Sequence, residues 1–547
     1  MMDLLNILVI TSLLSSVTVA QLGLTAQTFA IAGKPGLNNV KLAWNFGENG
    51  YSIERKSANE DYTKIATVPG NQYEDYNVPD GPVSYKVTGK SGTSDQFQLS
   101  VSAIPSGYVK YDNTAPSTLK LASQIKVGST YYAYQYRTDR NAFLEIVEQT
   151  SSDGLSFTGN KVVLTRAQAC KGSPNGFCKF EATTFVQQPK SKEVIMWTHW
   201  ENAGDYKEAR VAVAWGKPGQ PWTFGGSFRP TGKDSRDLSF FNDNGKGYLL
   251  SATDTNTNLN IYALTSDWHG VDKLVITVLK GERREAPSMI FENGFYYLFT
   301  STAAGWFPST GQYISAPSVT GPWTKSRNIG NTATYGAQSG PVEKIGKTYV
   351  MRANRWAAQW KYKEPSNRQI IMPISLQNGA ANYHYYEEIM YKDGEGVYGV
   401  QPGRIVSREK PTRSNGAAAG SAEKIANNGV ETDANSMFVP AKVPFYWDVE
   451  LDSPKKITRV HLLTKLTGGS ETAYKFNVLG SADGKSWEKL ADQSKNTVVG
   501  FVDSEIQSGK SWKWVRVDVL GIMNVNNGNE ANWAKGVLEV TVFATST

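Results

Sequence analysis

Apolar and polar residues alternate with a period of two along most of the chain, in short runs broken by Gly, Asn, Asp and Pro. That pattern predicts short strands joined by tight turns, and no convincing amphipathic helix competes with it. A longer repeat lies on top of it. Two aromatic strands, KVGSTYYAYQY (126–136) and SKEVIMWTHW (191–200), are followed by three more around Tyr248, Tyr296 and Tyr349. In each of the last three a polar residue stands eleven positions before the tyrosine: Asp237, Glu285 and Gln338. The unit reads polar residue, apolar strand, Gly turn, aromatic strand. A strand-and-turn repeat of roughly 50 to 60 residues predicts a β-propeller with one four-stranded sheet per blade, here five blades. The first strand of each blade lines the central channel, so Asp237, Glu285 and Gln338 are expected to meet there although they are far apart in sequence.

At 547 residues the chain exceeds one hydrophobic core. The expected fold is all-β, a five-bladed propeller over 119–405 flanked by two β-sandwich domains, 21–104 and 413–547, with turn-rich connections at 104–118 and 407–421. Within the first of these, the order Trp44, Tyr51, Tyr73, Tyr85 resembles a fibronectin type III module and implies a spacer or docking role. Residues 413–547, through FYWDVELDSPKKITRVHLL and YKFNVLGSADGKSWEKL, resemble a discoidin-type (factor 5/8 type C) carbohydrate-binding module. This module is expected to fold alone and to bind a glycan.

Charge narrows the partners. The formal +7, from 57 Lys+Arg against 50 Asp+Glu, is scattered with no basic run, which speaks against nucleic acid. Residues 1–20 contain the apolar run LLNILVITSLLSSVTVA and end on a small residue, so a signal peptide and secretion are expected, with no membrane span elsewhere. In an oxidising compartment the two cysteines, Cys170 and Cys178, are expected to bridge, either stapling a loop or fixing the strand that presents Glu181. The four histidines show no ligand spacing, so neither metal nor other cofactor is expected.

The segments FEATTFV, GSFRPTGKDSRDLSFFNDNGKGYLLSATD, REAPSMIFENGFYYLFTSTAAGW, SVTGPW and ATYGAQSGPV resemble family 43 glycoside hydrolases, more narrowly their exo-β-1,3-galactanase branch. The resemblance implies catalytic roles for Glu285 as general acid, Asp237 as the carboxylate that raises its pKa, and Gln338 as the residue that positions water, through an imidic tautomer, in place of the usual first-blade Asp. No carboxylate stands between Thr114 and Arg137. By the same resemblance Glu181 holds a sugar hydroxyl. Trp306 and Trp356 follow the fourth and fifth aromatic strands and are candidates for sugar stacking. Structural alternatives stand beside these roles: Asp237 as a strand-end cap or partner of Arg236, Glu285 as partner of Arg283 or Arg284, Gln338 as a channel-lining hydrogen-bonder, and either tryptophan as core. The branch has a His-Gly pair near the start of the first blade, where this chain has Leu121-Ala122-Ser123.

The reading is a secreted, monomeric, inverting exo-β-1,3-galactanase acting on arabinogalactan-type polysaccharide. Alternatives are another family 43-type exo-glycosidase on galactan or arabinan, and a sugar-binding protein that has lost catalysis.

Overall fold

The structure is a computed structural model that describes residues 22–545 apart from 35, 46, 49, 115–124, 153, 155, 203, 357–367 and 393. The expected signal peptide and the Leu121-Ala122-Ser123 departure lie outside the described residues. Strands dominate, as the period-two pattern predicts.

From Ile125 to Tyr383 the chain forms five successive four-stranded antiparallel sheets, each built in sequence order. The first strands of the second to fifth, Cys178–Gln187, Leu238–Asp243, Arg284–Glu292 and Val342–Ile345, lie one against the next, as blades around an axis do. Two-residue turns set the hairpins. Asn244-Gly245 (φ 50°, 93°) and Asn293-Gly294 (φ 49°, 83°) both take the left-handed conformation that matches the twist of the flanking strands. The eleven-residue spacing of Asp237 and Glu285 from their tyrosines is therefore the length of one strand plus one such turn.

Before and after this unit the chain makes further sheet pairs. Between Leu22 and Val101 two sheets enclose Leu42, Trp44, Tyr51, Tyr85 and Val87. Beyond Arg404 two sheets enclose Trp447, Phe476, Val517 and Val540. The stretch expected as propeller up to 405 departs from that reading. Glu388–Lys392 and Gly396–Gln401 leave the fifth sheet and join the N-terminal one, where Gly396–Gln401 runs parallel to Thr25–Ile31. The turn-rich 407–421 is also no free linker. Thr412–Ser414 pairs with Phe445–Lys455, and just upstream Arg404–Ile405 pairs with Val537–Ala544.

Besides this core of its own, around Trp447 and Phe476, the C-terminal part shares a second one with the propeller. Leu463, Phe501 and Leu538 share one cluster with Tyr297, Phe299, Tyr313, Met351 and Met372 of the fourth and fifth sheets. N- and C-terminal parts meet where Arg408 pairs with Glu74 at 2.8 Å and Gln72 Nε2 donates to the Gly429 carbonyl at 3.2 Å. A Cβ on Gly70 would come within 2.4 Å of the Asn428 oxygen, so this approach requires glycine.

Candidate active site

One backbone device presents three of the predicted residues. Glu181 pairs with His199 but the next pair is Thr184–Trp197; Glu285 pairs with Ser301 and the next is Ser288–Phe299. Gln338 bridges Asn354 and the next pair is Val342–Met351. Each first strand thus carries one extra residue just after the site residue, a bulge that re-aims the side chain before it. At two of them the following residue is an alanine at φ 48°, Ala182 and Ala286, a conformation that costs a non-glycine residue about 1–3 kcal/mol and persists where surrounding structure imposes it. The N–H of the bulged Ala286 donates to Asp237 Oδ2 at 3.1 Å, tying the third sheet to the fourth.

Asp237, Glu285 and Gln338 come together as the repeat predicts. Gln338 Nε2 donates to Glu285 Oε2 at 3.4 Å and to Ser301 Oγ at 3.1 Å, while its Oε1 accepts Trp356 Nε1–H at 2.9 Å. Donors and acceptors on both ends fix which way this buried carboxamide points. On the other carboxylate oxygen, Asn256 Nδ2 donates to Glu285 Oε1 at 2.5 Å. Burial, then the negative charge of Asp237, pushes Glu285 up to about 8. Burial also raises Asp237, against the pull of His199 and the Ala286 N–H.

Neither arginine next to Glu285 in sequence is its ion-pair partner among the described residues. Arg284 is buried and turned away, donating to Thr300 Oγ1, Thr302 Oγ1 and the carbonyls of Thr300 and Thr310. Arg236 reaches Asp234 at 3.9 Å and the Tyr206 carbonyl at 3.4 Å rather than Asp237.

Glu181 sits in a different electrostatic setting. Tyr206 OH donates to it at 2.7 Å, Lys179 Nζ lies at 3.6 Å, and His199 Nδ1 lies at 3.6 Å. Burial works against its charge, yet these partners hold it below the usual carboxylate range. His199 is raised in turn, burial opposing but Glu181 and Glu201 prevailing; its Nε2 is 2.8 Å from Glu201 Oε1. One carboxyl is therefore kept neutral and the other ionised, the separation by which a site divides acid from anion. Trp306, 42% exposed, meets Trp356 edge to face at 5.2 Å between ring centroids.

Cys170 and Cys178 form the expected disulfide at the start of the strand that carries Glu181. Asn256, Ser301, Tyr206 and the His199–Glu201 pair are contacts that sequence reading did not assign. Asn256 closes a run of three left-handed residues, Asp254-Thr255-Asn256, a polar turn whose composition is the only signal it offers. Histidine spacing shows no ligand motif, but the fold brings His461 within 2.5 Å of Glu387 and 3.8 Å of Asp503. Arg459 holds both oxygens of that Asp503, at 2.8 and 2.9 Å, which makes the group an ion-pair cluster between the C-terminal part and the strands before it.

No curated protein matches the sequence. Among solved structures, the chain is similar to an exo-β-1,3-galactanase of Phanerochaete chrysosporium with β-1,3-galactotriose, at 23% identity over 80% of this chain and 100% of that one, with a TM-score of 0.52. A second variant of that enzyme with the same trisaccharide aligns over 79% of this chain and 100% of its own at 23% identity and a TM-score of 0.51. An exo-β-1,3-galactanase from Clostridium thermocellum follows at 22% identity, 80% and 97% coverage, and a TM-score of 0.48. At these identities the two fungal structures speak for the fold alone, that of five-bladed propellers. The family model described as glycosyl hydrolases family 43 matches residues 119–372, and with the five sheets and their acidic centre this makes that stretch a family 43 glycoside hydrolase domain.

Proposed function

We propose that this protein is a secreted exo-β-1,3-galactanase that inverts the anomeric centre, with a fibronectin type III-like module before the propeller and a discoidin-type carbohydrate-binding module after it. The observation that carries this reading is the meeting of Asp237, Glu285 and Gln338 at one centre, where Gln338 donates to Glu285 and the Ala286 N–H beside Glu285 donates to Asp237; burial and Asp237 push the Glu285 carboxyl upward there. In the reaction Glu285 gives its proton to the leaving glycosidic oxygen while a water attacks the opposite face of the sugar. Gln338 takes that water's proton on Oε1 and, once product has left, gives one from Nε2 to the Glu285 carboxylate, which restores the acid; the imidic form left on Gln338 returns to the amide by exchanging protons with water. Glu181, ionised, accepts a sugar hydroxyl, and Trp306 with Trp356 offers ring surface to the pyranose.

The Gln338–Glu285 contact of 3.4 Å is about half the 6.5–9.5 Å that separates acid and base in inverting glycosidases. Productive binding of sugar and water therefore requires this contact to open.

Incubation with β-1,3-galactan is expected to release galactose whose first-formed anomer, by NMR, is α. A first-formed β anomer overturns inversion, and activity on arabinan alone moves the assignment to another family 43-type enzyme.

The pH profile carries a sign. A general acid works only while protonated, so turnover on galactan is expected to fall as pH rises through about 8, the value to which Glu285 is pushed. Stability moves the same way. A carboxyl whose folded pKa lies above its unfolded one contributes stability that is complete below the unfolded value and lost as pH rises through the folded one. Thermal unfolding of Glu285→Gln against the parent, at pH 5 and pH 9, should therefore show the variant gaining relative stability at the higher pH.

A further inference from the structure

We propose that the C-terminal part is a working component of the catalytic centre, with Phe307, Leu466 and Phe501 as positioning residues that keep Gln338 and Trp306 in place. This rests on the reading of Glu285 and Gln338 as the reacting pair.

Gln338 ends a segment, Asn331 to Gln338, that has no sheet hydrogen bonds until its last residue bridges Asn354. Its turn bonds, Thr334 N–H to the Asn331 carbonyl and Ala333 and Tyr335 N–H to Asn331 Oδ1, set its local shape, and packing helps set where it sits. Its apolar residues, Ala333, Tyr335 and Ala337, lie in the cluster that also contains Leu463, Phe501 and Leu538. Tyr335 meets Phe501 edge to face at 5.4 Å and stacks on Tyr385 at 4.9 Å. Backbones approach closely: a Cβ on Gly500 would lie 3.0 Å from Ala333 Cβ and 2.8 Å from Leu466 Cδ2, and Gly500 has φ +76°. The Thr332 N–H donates to the Glu431 carbonyl at 2.9 Å.

The loop that carries Trp306 is clamped from the same side. Phe307 packs on Ala473, Val499 and Val525, with Leu466 beside it. This loop is in turn bonded to the Gln338 segment: Ser309 N–H donates to the Ala337 carbonyl at 3.3 Å, Thr334 Oγ1 to the Ser309 carbonyl at 2.6 Å, and Thr310 Oγ1 to the Thr332 carbonyl at 2.8 Å. The far end of the path is the site, since Trp306 meets Trp356 and Trp356 donates to Gln338. A module that only anchored polymer would need none of these contacts.

The test uses the full chain with Phe307→Ala and Leu466→Ala, and the conservative Phe307→Leu. Kinetics on a small aryl β-galactoside and on β-1,3-galactan are expected to show kcat down about tenfold on both for the alanine variants, since a small misplacement of a reacting group is costly. KM should change less, and Phe307→Leu should recover most of the loss. Hydrogen exchange of peptides covering 303–310 and 331–338 should quicken roughly tenfold, with the strand Val194–Asn202 unchanged. Loss confined to galactan overturns the proposal in favour of polymer anchoring. Exchange and aryl-galactoside kcat both within about twofold of the parent also overturn it. Should the parent hydrolyse neither substrate, the functional reading falls, and the exchange result alone still decides whether the module holds the Gln338 segment.

Discussion

Replacing Glu285 by Gln is expected to lower turnover on β-1,3-galactan by about 10²–10⁴-fold, the usual contribution of a positioned general acid, or roughly 3 to 5 kcal/mol of barrier. The loss is selective. An aryl β-galactoside with an acidic phenol leaves without much protonation, so the variant should keep a far larger fraction of its activity there. Gln suits the site sterically, and it adds a donor where Asn256 Nδ2 and Gln338 Nε2 already donate to Glu285; the fold should therefore survive a modest local repulsion. Asp237→Asn should act through the same proton. It removes the second cause of the high Glu285 value, so the alkaline limb of the pH profile should move to lower pH. Equal loss on both substrates in Glu285→Gln would rule out the proton-donor role.

Gln338→Ala is expected to behave in the opposite manner, with a loss of roughly 10²–10³-fold that does not depend on the leaving group, because water positioning serves every substrate. The truncation also leaves Trp356 Nε1–H and Ser301 Oγ without the partner they have in the parent. Thermal stability should consequently fall by about 1–3 kcal/mol, the cost of a buried polar group left unpaired. Added azide should restore part of the turnover and give the α-galactosyl azide, since a small anion can occupy the space the carboxamide vacates. Near-parental turnover in this variant would remove Gln338 from the reaction.

How much of this was legible in the sequence follows from how local each feature is. The strands, their turns and the convergence of Asp237, Glu285 and Gln338 rest on period-two patterning and on hairpins closed by residues such as Asn293-Gly294, all within a dozen positions. Asn256 and Tyr206 were not legible as partners of Glu285 and Glu181, because nothing near either residue shows which loop will face it. The fate of Glu388–Gln401 was hidden for the same reason. Its strands look like any other blade strand, and only the free edge of Thr25–Ile31 decides where they go. The shared core around Phe501 was also out of reach, since an apolar residue facing another module reads like one facing its own.

The parallel pairing of Thr25–Ile31 with Gly396–Gln401 bears on how the chain is made. Phe29 leaves the ribosome about 370 residues ahead of Gly399, its neighbour in the sheet. At common synthesis rates that interval is roughly 20 to 70 s. Throughout it the first module carries an uncapped strand edge, open to another nascent chain of its own kind. Its completion must wait for the last turn of the propeller, so a truncation anywhere before residue 401 should yield an aggregating fragment rather than a soluble N-terminal module.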